Sequence, residues 1–401
     1  MRGSYGEVGN DQIGGDRFLY LPSSYGAASD SGVNKYNFGL ASNPYTSLMI
    51  VENKIGNPDL TWEKAKKMNV GVDINLFNNC LTASFDIFKE KRNNILANRS
   101  TSPMIIGANL PAYNFGEMEN RGWEMDLNFR HHIQDFHYWA RFNYSFARNE
   151  IIYMDEVQKR YDYQMTTGRR KNQFFGLIFD GYYNSWEEIN ALDRPKSSWS
   201  GNQLQPGDVK YVDVNRDGVI DDYDMVPIGY TPVPEIIYGF SFGAQYKGFD
   251  FSILFQGADN VSIKYFGRSM WPFAKGEESA KSLIKERWTQ ERYEAGEKIT
   301  FPRLSLNPNG ETDHNYRPST LWIRDASYLR LKNLEVGYTF TGGFVKRLNL
   351  NSVRLYFNGS NLFTWTDVVD LDPEAPSRSG NVEINTYPLQ KVYNIGLNIN
   401  F

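Results

Sequence analysis

An all-β fold, a large antiparallel barrel that crosses a membrane, is what three features of this 401-residue sequence predict. The first is strict alternation. In the closing stretch, Tyr393, Ile395, Leu397, Ile399 and Phe401 are apolar, while Asn394, Gly396, Asn398 and Asn400 lie between them. A period of two gives a strand one greasy and one polar or small face. A barrel strand needs that contrast between lipid and lumen. The second is the spacing of connections, which are short and long in turn. The third is composition. Aromatic residues reach 15%, enough for the girdles that flank a barrel's apolar band. No run of about 18 apolar residues exists, so no transmembrane helix is expected. Barrel strands are only half apolar and need no such run.

The elements follow in order. Arg2 to Val8 reads as the end of a strand, and residues 9–59, rich in Gly, Asn, Ser and Tyr, as a long loop. From Leu60 to Asn78, Met68, Val70, Val72, Ile74 and Leu76 alternate with Asn69, Gly71, Asp73 and Asn75. Asn78-Asn79 makes a tight turn, and Leu81, Ala83, Phe85 and Ile87 return. After a loop at 92–116 come Trp123, Met125, Leu127 and Phe129, a short turn near His131 to Asp135, and Tyr138 to Phe146. A very long loop, 150–233, precedes Ile236 to Gly243; Lys247-Gly248 turns the chain into Phe249 to Phe255. The loop 258–324 holds one helix-like segment, Glu278 to Arg287. Leu334 to Phe340, a turn at 342–350, Val353 to Asn358, a loop at 363–387 and the terminal strand complete about ten strands. The short turns fall near 79, 133, 248 and 346, and every other connection is expected to hold about 25 residues or more. Short turns on the periplasmic rim and long extracellular loops on the other are the barrel pattern. A compact soluble domain does not tolerate so many long structureless loops.

Several chemistries are set aside. The net charge is −4 without a basic stripe, so no nucleic-acid partner is expected. Arg169, Arg170 and Lys171 read as a solvated loop. The single cysteine, Cys80, offers neither an internal disulfide nor a metal-type cluster. Gly239-Phe-Ser241-Phe-Gly243 matches a nucleophile elbow on paper, but that elbow needs a strand-turn-helix, and this motif lies inside an alternating strand. His131, His132 and His137 cluster at a periplasmic turn and read as solvated; His314 stands apart. No catalytic residues are expected.

One loop motif carries chemistry. From Asp213, the positions of Asp213, Asn215, Asp217, Gly218, Val219, Asp221 and Asp224 fit a twelve-residue Ca²⁺ loop. Asp213, Asn215 and Asp217 would give side-chain oxygens, Val219 its carbonyl, and Asp221 a direct or water-mediated contact. Asp224 stands where the template has Glu, and its shorter reach weakens bidentate closure. An acidic solvated loop without metal is the alternative. If a cation binds, Ca²⁺ ahead of Mg²⁺, its role is structural.

Long stretches resemble one family. GDVKYVDVNRDGVIDDYDMVPIG (207–229), PEIIYGFSFGAQYKGFDFSILFQG (234–257), STLWIRDASYLRLKNLEVGYTF (319–340), VRLYFNGSNLFTWTDVVDLDPE (353–374) and YPLQKVYNIGLNINF (387–401) resemble the late barrel of SusC/RagA-type TonB-dependent transporters. RGSYGEVGNDQIG (2–14) and NPDLTWEKAKKMNVGVDINLFNN (57–79) are similar to earlier parts. The resemblance implies a chain, residues 1–401, that is the C-terminal portion of such a barrel, without plug or N-terminal strands. MRGSYGEVGND has no apolar core of a signal peptide, which agrees with a missing beginning. It also implies TonB-dependent import of an oligosaccharide or peptide across the outer membrane, with a SusD-like surface lipoprotein over the loops. The TonB complex would act through the missing N-terminal part, and outer-membrane lipid would surround the wall. Loop aromatics Tyr182, Tyr183, Trp186, Trp199, Trp271 and Trp288 would stack on sugars, meet that lipoprotein, or simply pack the loops. The competing readings are a soluble, secreted, calcium-binding β domain that recognises glycans, and a non-functional fragment of a truncated or split gene.

Overall fold

The computed structural model describes residues 1–11, 19–21, 26–27, 35–40, 45–48, 50–51, 55–101, 110–199, 204–265, 271–273, 282–305, 313–369, 371–374, 381–382 and 389–401. Ten strands form one sheet: β1 (Arg2–Asn10), β2 (Glu63–Leu76), β3 (Leu81–Ala97), β4 (Tyr113–Ile133), β5 (Phe136–Tyr153), β6 (Ile236–Tyr246), β7 (Phe249–Asp259), β8 (Tyr328–Phe340), β9 (Ser352–Thr366) and β10 (Val392–Asn400). Each pairs antiparallel with its neighbour in sequence, so the sheet order is the chain order. Among the described residues β1 and β10 are the two edges of this curved wall.

Directly paired residues share a face, so the register traces rows across the wall. Ile87, Trp123, Phe146 and Ile236 form one row. Phe251, Val336, Phe357 and Ile395 form another. These apolar residues are exposed in water-free terms only: Ile87 is 55% and Ile395 80% accessible. Such a face is stable only against hydrocarbon. The alternate rows are polar, as in Asp73, Ser84, Asp126 and Asn143. The membrane face is bounded by rings. Trp123 stacks on Tyr144 at 4.8 Å, and Tyr144 on Tyr238 at 6.5 Å. At the other rim Phe136 meets Tyr246 edge-on at 6.1 Å. β6, which carries Tyr238 and Tyr246 of the two rings, and β7 are each 11 residues long in all, the length that crosses a bilayer when tilted. Gly257 lies beneath the Tyr238 ring, where an added Cβ would sit 2.3 Å from Cζ; the glycine leaves the space the girdle ring fills.

The short turns match their chemistry. Phe77, Asn78 and Asn79 take φ of 53°, 54° and 68°, and Lys247-Gly248 takes 45° and 88°, the left-handed pair of a two-residue hairpin turn. Between β8 and β9 one helical turn, Phe344–Arg347, buries Val345 completely.

Three expectations change. β3 runs on to Ala97 and β4 begins at Tyr113, so their connection is 98–112 rather than 92–116 and is shorter than expected. Above the Ile87–Trp123 row, the outward alternants are Lys89, Lys91, Glu119 and Arg121. Both faces are polar there, so hydrophobic contrast ends while backbone pairing continues. The helix-like Glu278 to Arg287 is a 3₁₀ segment at Ser282–Glu286, with 278–281 outside the described residues; a helix instead spans Gln290–Glu294, capped by Thr289. Most importantly, the long connections after β5, β7 and β9 are not structureless. They pack one lobe at the rim. Its core joins Leu177, Val209, Tyr211, Phe301, Tyr316 and Trp322, all under 7% exposed, drawn from separate connections. No helix among the described residues is long and apolar enough to cross a membrane.

Candidate functional site

The inner face of the wall and the lobe above it make the candidate site. Alternation sends every second side chain of each strand inward, and those residues are charged or amide-bearing. Arg2 on β1 binds the carboxylates of Asp73 and Asp86, with Ser84 Oγ donating to Asp73 at 2.7 Å. Arg354 on β9 binds Asp250, and Glu335 at 2.7 Å, while Asn358 Nδ2 donates to Glu335 at 3.0 Å. Gly71 and Gly337 stand beside these clusters, where a side chain would collide with Asp86 or with Arg354 and Asp250. Two shallow clefts follow. One, about 370 Å³, is lined by Asp86, Glu124, Asp126, Asn143 and Ser145. The other, about 350 Å³, lies where the lobe meets the upper wall and is lined by Glu90, Arg92, Asn120, Asn149, Lys171 and Glu235. Both signs of charge and several amides line this second cleft, so it can hold a polar ligand through hydrogen bonds.

Buried ion pairs fasten the lobe to the wall. Arg330 on β8 is 2% exposed and binds Asp372 at 2.7 Å and Glu374 at 2.5 Å. Lys332 and the Tyr328 hydroxyl also reach Glu374, at 3.1 and 2.7 Å. Glu235, 5% exposed, accepts two hydrogen bonds from Arg148 at 2.9 and 2.8 Å and pairs with Arg170. A buried charge is tolerated only when paired like this. The sequence reading missed both anchors. Alternation counted back from Leu334 and Val336 puts Arg330 on the outward parity, and only the register shift between Leu331 and Asn333 turns it inward, toward Asp372 and Glu374.

Inside the lobe, Asp208 is 3% exposed and accepts from Arg303 at 2.5 Å, Asn315 Nδ2 at 2.8 Å and the Gln205 amide at 2.8 Å. His314 Nε2 lies 2.8 Å from the Val209 carbonyl and Nδ1 3.0 Å from Ser197 Oγ. The carbonyl can only accept, so Nε2 carries the proton and Nδ1 accepts from the serine. That is neutral imidazole, and burial pushes its pKa down.

The acidic loop is ordered by its own side chains. Asp213 accepts from the amides of Arg216 at 2.6 Å and Gly218 at 2.8 Å. Asn215 Oδ1 accepts from Asp217 N, and Asp217 Oδ1 from Val219 N, both at 2.9 Å. Asp221 caps the 3₁₀ turn Asp222–Asp224, and Val219 opens the short strand Val219–Ile220. Gly218 takes φ +82°, which favours glycine. Asp224 is fully buried and accepts from Val214 N at 2.8 Å and Asp221 N at 2.9 Å. Burial raises its pKa, and Asp213 adds to the rise. Asn215 Nδ2 also bridges to Asp217 Oδ2 at 3.0 Å. The six expected residues thus divide between a turn at Asp213, Asn215 and Asp217, the short strand that Val219 opens and the 3₁₀ turn of Asp221 and Asp224. Among the described residues, however, no three His, Cys, Asp or Glu side chains converge as a metal cluster.

The loop aromatics divide. Tyr182, Tyr183, Trp271 and Trp288 are all under 9% exposed and belong to the lobe's cores. Trp199 packs against the main core under the Arg317 guanidinium, 4.1 Å from its ring. Only Trp186 of the six stays open to solvent, at 55%. His131, His132 and His137 are exposed at the periplasmic turn.

Comparison with known proteins places this architecture. A family model described as "TonB dependent receptor-like, beta-barrel" matches residues 2–362. The chain is 27% identical over 419 residues to TonB-dependent receptor P3 of Formosa agariphila, spanning all of this chain and 39% of that protein. It is 26% identical over 407 residues to TonB-dependent receptor SusC of Bacteroides thetaiotaomicron, spanning all of this chain and 37% of that protein. The structure of the RagAB peptide transporter superposes with a TM-score of 0.70 at 23% identity, over 99% of this chain and 40% of that one. The chain therefore spans about two fifths of the length of these relatives.

Proposed function

The chain belongs to the TonB-dependent receptor β-barrel family of the outer membrane, and from that premise we propose that it supplies part of the wall and the extracellular lobe of a nutrient importer. The observation that carries this is the polar inner face continued upward by the packed lobe, with the 350 Å³ cleft at their junction. The outward apolar rows give no support to a soluble, secreted domain. Transport needs no bond made or broken in the cargo, and the inner wall offers charged and amide groups for weak, reversible contacts rather than a nucleophile–base pair. The cargo is a polar oligomer, an oligosaccharide or a peptide. The lobe meets a SusD-like surface lipoprotein, and TonB supplies the energy through a plug beyond this stretch of sequence.

Affinity purification from native outer membrane tests the partner. A surface lipoprotein recovered in stoichiometric amount supports the proposal, and a protein that elutes alone refutes that part of it. Uptake of labelled maltooligosaccharides and labelled oligopeptides, with and without a proton-motive force, tests the cargo. Energy-dependent entry of one class names it, and entry of neither removes the importer reading. Replacing Arg92 and Lys171 by Gln should slow uptake without loss of the barrel.

We also propose that residues 213–224 take Ca²⁺ as a structural ion. The observation in favour is the loop's fold, in which Asp213, Asn215 and Asp217 accept from the amides of Arg216, Gly218, Asp217 and Val219 and so wind the chain around its first three acidic and amide positions. Asp213, Asn215, Asp217, the Val219 carbonyl, Asp221 and Asp224 are hard oxygen donors of the type Ca²⁺ prefers. Calorimetry that detects no Ca²⁺ binding, with an Asp217→Ala variant as protease-resistant as the parent, removes the site.

A further inference from the structure

The outer surface of the wall carries a feature unrelated to cargo. We propose that Lys89 and Arg121 form a binding pair for the phosphate-bearing headgroup of an outer-leaflet lipid. The register places Lys89 opposite Arg121, and Arg121 opposite Arg148. Two residues along each strand lies the apolar row Ile87, Trp123 and Phe146, which pair in the same order. Residues two apart on a strand share a face, so Lys89 and Arg121 point outward, while the Arg148 guanidinium is taken up by the buried Glu235. The Trp123–Tyr144–Tyr238 stack marks the edge of the hydrocarbon at that level. The cations therefore sit just outside the apolar span, on the side of the long loops.

Like charges directly opposite across a sheet are destabilising, so this row costs the fold something. Its acidic partners stand one row further from the membrane. Lys89 reaches Glu119 at 2.9 Å and Arg121 reaches Glu150 only at 3.7 Å. Arg148 is held by Glu235. The sign of charge is thus layered: apolar, then basic, then mixed. Lys89 and Arg121 keep side-chain exposures of 53% and 60%. Both rise from interior strands of the sheet, so neighbouring strands flank them on each side. A lipid phosphate lies at this depth, with its acyl chains against Ile87 and Trp123. Long basic side chains lay their stems on apolar surface and lift their charge to the interface. Arg121 offers a planar fork for two phosphate oxygens.

The test uses the intact outer-membrane protein, in parent form and as Lys89→Gln/Arg121→Gln. Each is placed in nanodiscs of phosphatidylcholine with or without phosphatidylglycerol. Lipid retention is read by native mass spectrometry and thermal unfolding by fluorescence. The parent should retain and be stabilised by phosphatidylglycerol, and the double variant should lose about tenfold in apparent affinity. Lys91→Gln, one row outward and paired to Glu117 at 2.9 Å, should change little. Raising the salt should weaken the parent and leave the double variant nearly unmoved. Equal retention by parent and double variant overturns the proposal. So does equal stabilisation by inorganic phosphate at matched concentration, which would assign a soluble anion instead. If the double variant does not fold, Arg121→Gln alone carries the same readings, with about a threefold loss expected.

Discussion

The wall and the lobe are built from one chain for two solvents. In the wall, Ile395 and Ile87 are far more exposed than any residue of the lobe's core, while Asp73, Asp86 and Arg2 cluster on the concave side. In the lobe, Phe301, Tyr316 and Leu177 are at or below 2% exposed. The wall turns its polar side chains to the inner face and offers its apolar ones to lipid; the lobe buries its apolar side chains away from water. The lesson is that hydrophobic burial holds the lobe, whereas backbone pairing from strand to strand holds the wall, because lipid tails compete with apolar contacts.

That contrast can be broken at several points. The largest effect belongs to the lobe's centre. Phe301→Ala removes a buried ring that meets Trp322 edge-on at 5.5 Å, and should cost about 3–5 kcal/mol. Limited proteolysis should then cut the lobe while β-sheet circular dichroism stays unchanged; simultaneous loss of both signals would show that the two regions are one cooperative unit. Next comes the wall. Leu127→Arg sits mid-span on the outward face, paired with Ala83 and Phe142, and should cost about 2–4 kcal/mol. Heat-modifiable migration should be lost in membranes, with lobe proteolysis in detergent little altered. The smallest effect sharpens the comparison through pH. The folded pKa of His314 is depressed by burial, so its contribution is present above the unfolded value of about 6.5 and is lost as pH falls toward the folded value. Lobe unfolding monitored from pH 7.5 to 5 should shift to lower temperature, and His314→Gln should flatten that slope. An unchanged slope in the variant would assign the effect to other groups.

The wall was legible wherever apolar and polar residues alternate. Met68 to Leu76, Trp123 to Phe129 and the terminal strand sit where the pattern put them. The turns Asn78-Asn79 and Lys247-Gly248 were legible because few residues accept left-handed backbone. Legibility failed above the membrane. At Lys89, Lys91, Glu119 and Arg121 neither face is apolar, so a strand that continues looks like a loop. It failed again in the lobe. Trp271, Trp288, Tyr182 and Tyr183 carry the composition of a binding surface, yet they are core, since their partners come from connections far away in sequence. The acidic loop was legible as a turn built on Asp213, Asn215, Asp217 and Gly218; whether it takes a cation is for calorimetry to decide.

The all-β character, about ten strands and the facing of side chains within the membrane span are written in the sequence. The physical reason is local: successive side chains of a strand alternate in direction, and lipid demands an apolar outer row. Tertiary contacts alone bring three long connections into one core, bury Arg330 and Glu235 as anchors, and line up Lys89 and Arg121 above Trp123. Those facts depend on register and on contacts between residues more than a hundred positions apart, 141 for Phe179 and Thr320, which no periodicity within a single segment can encode.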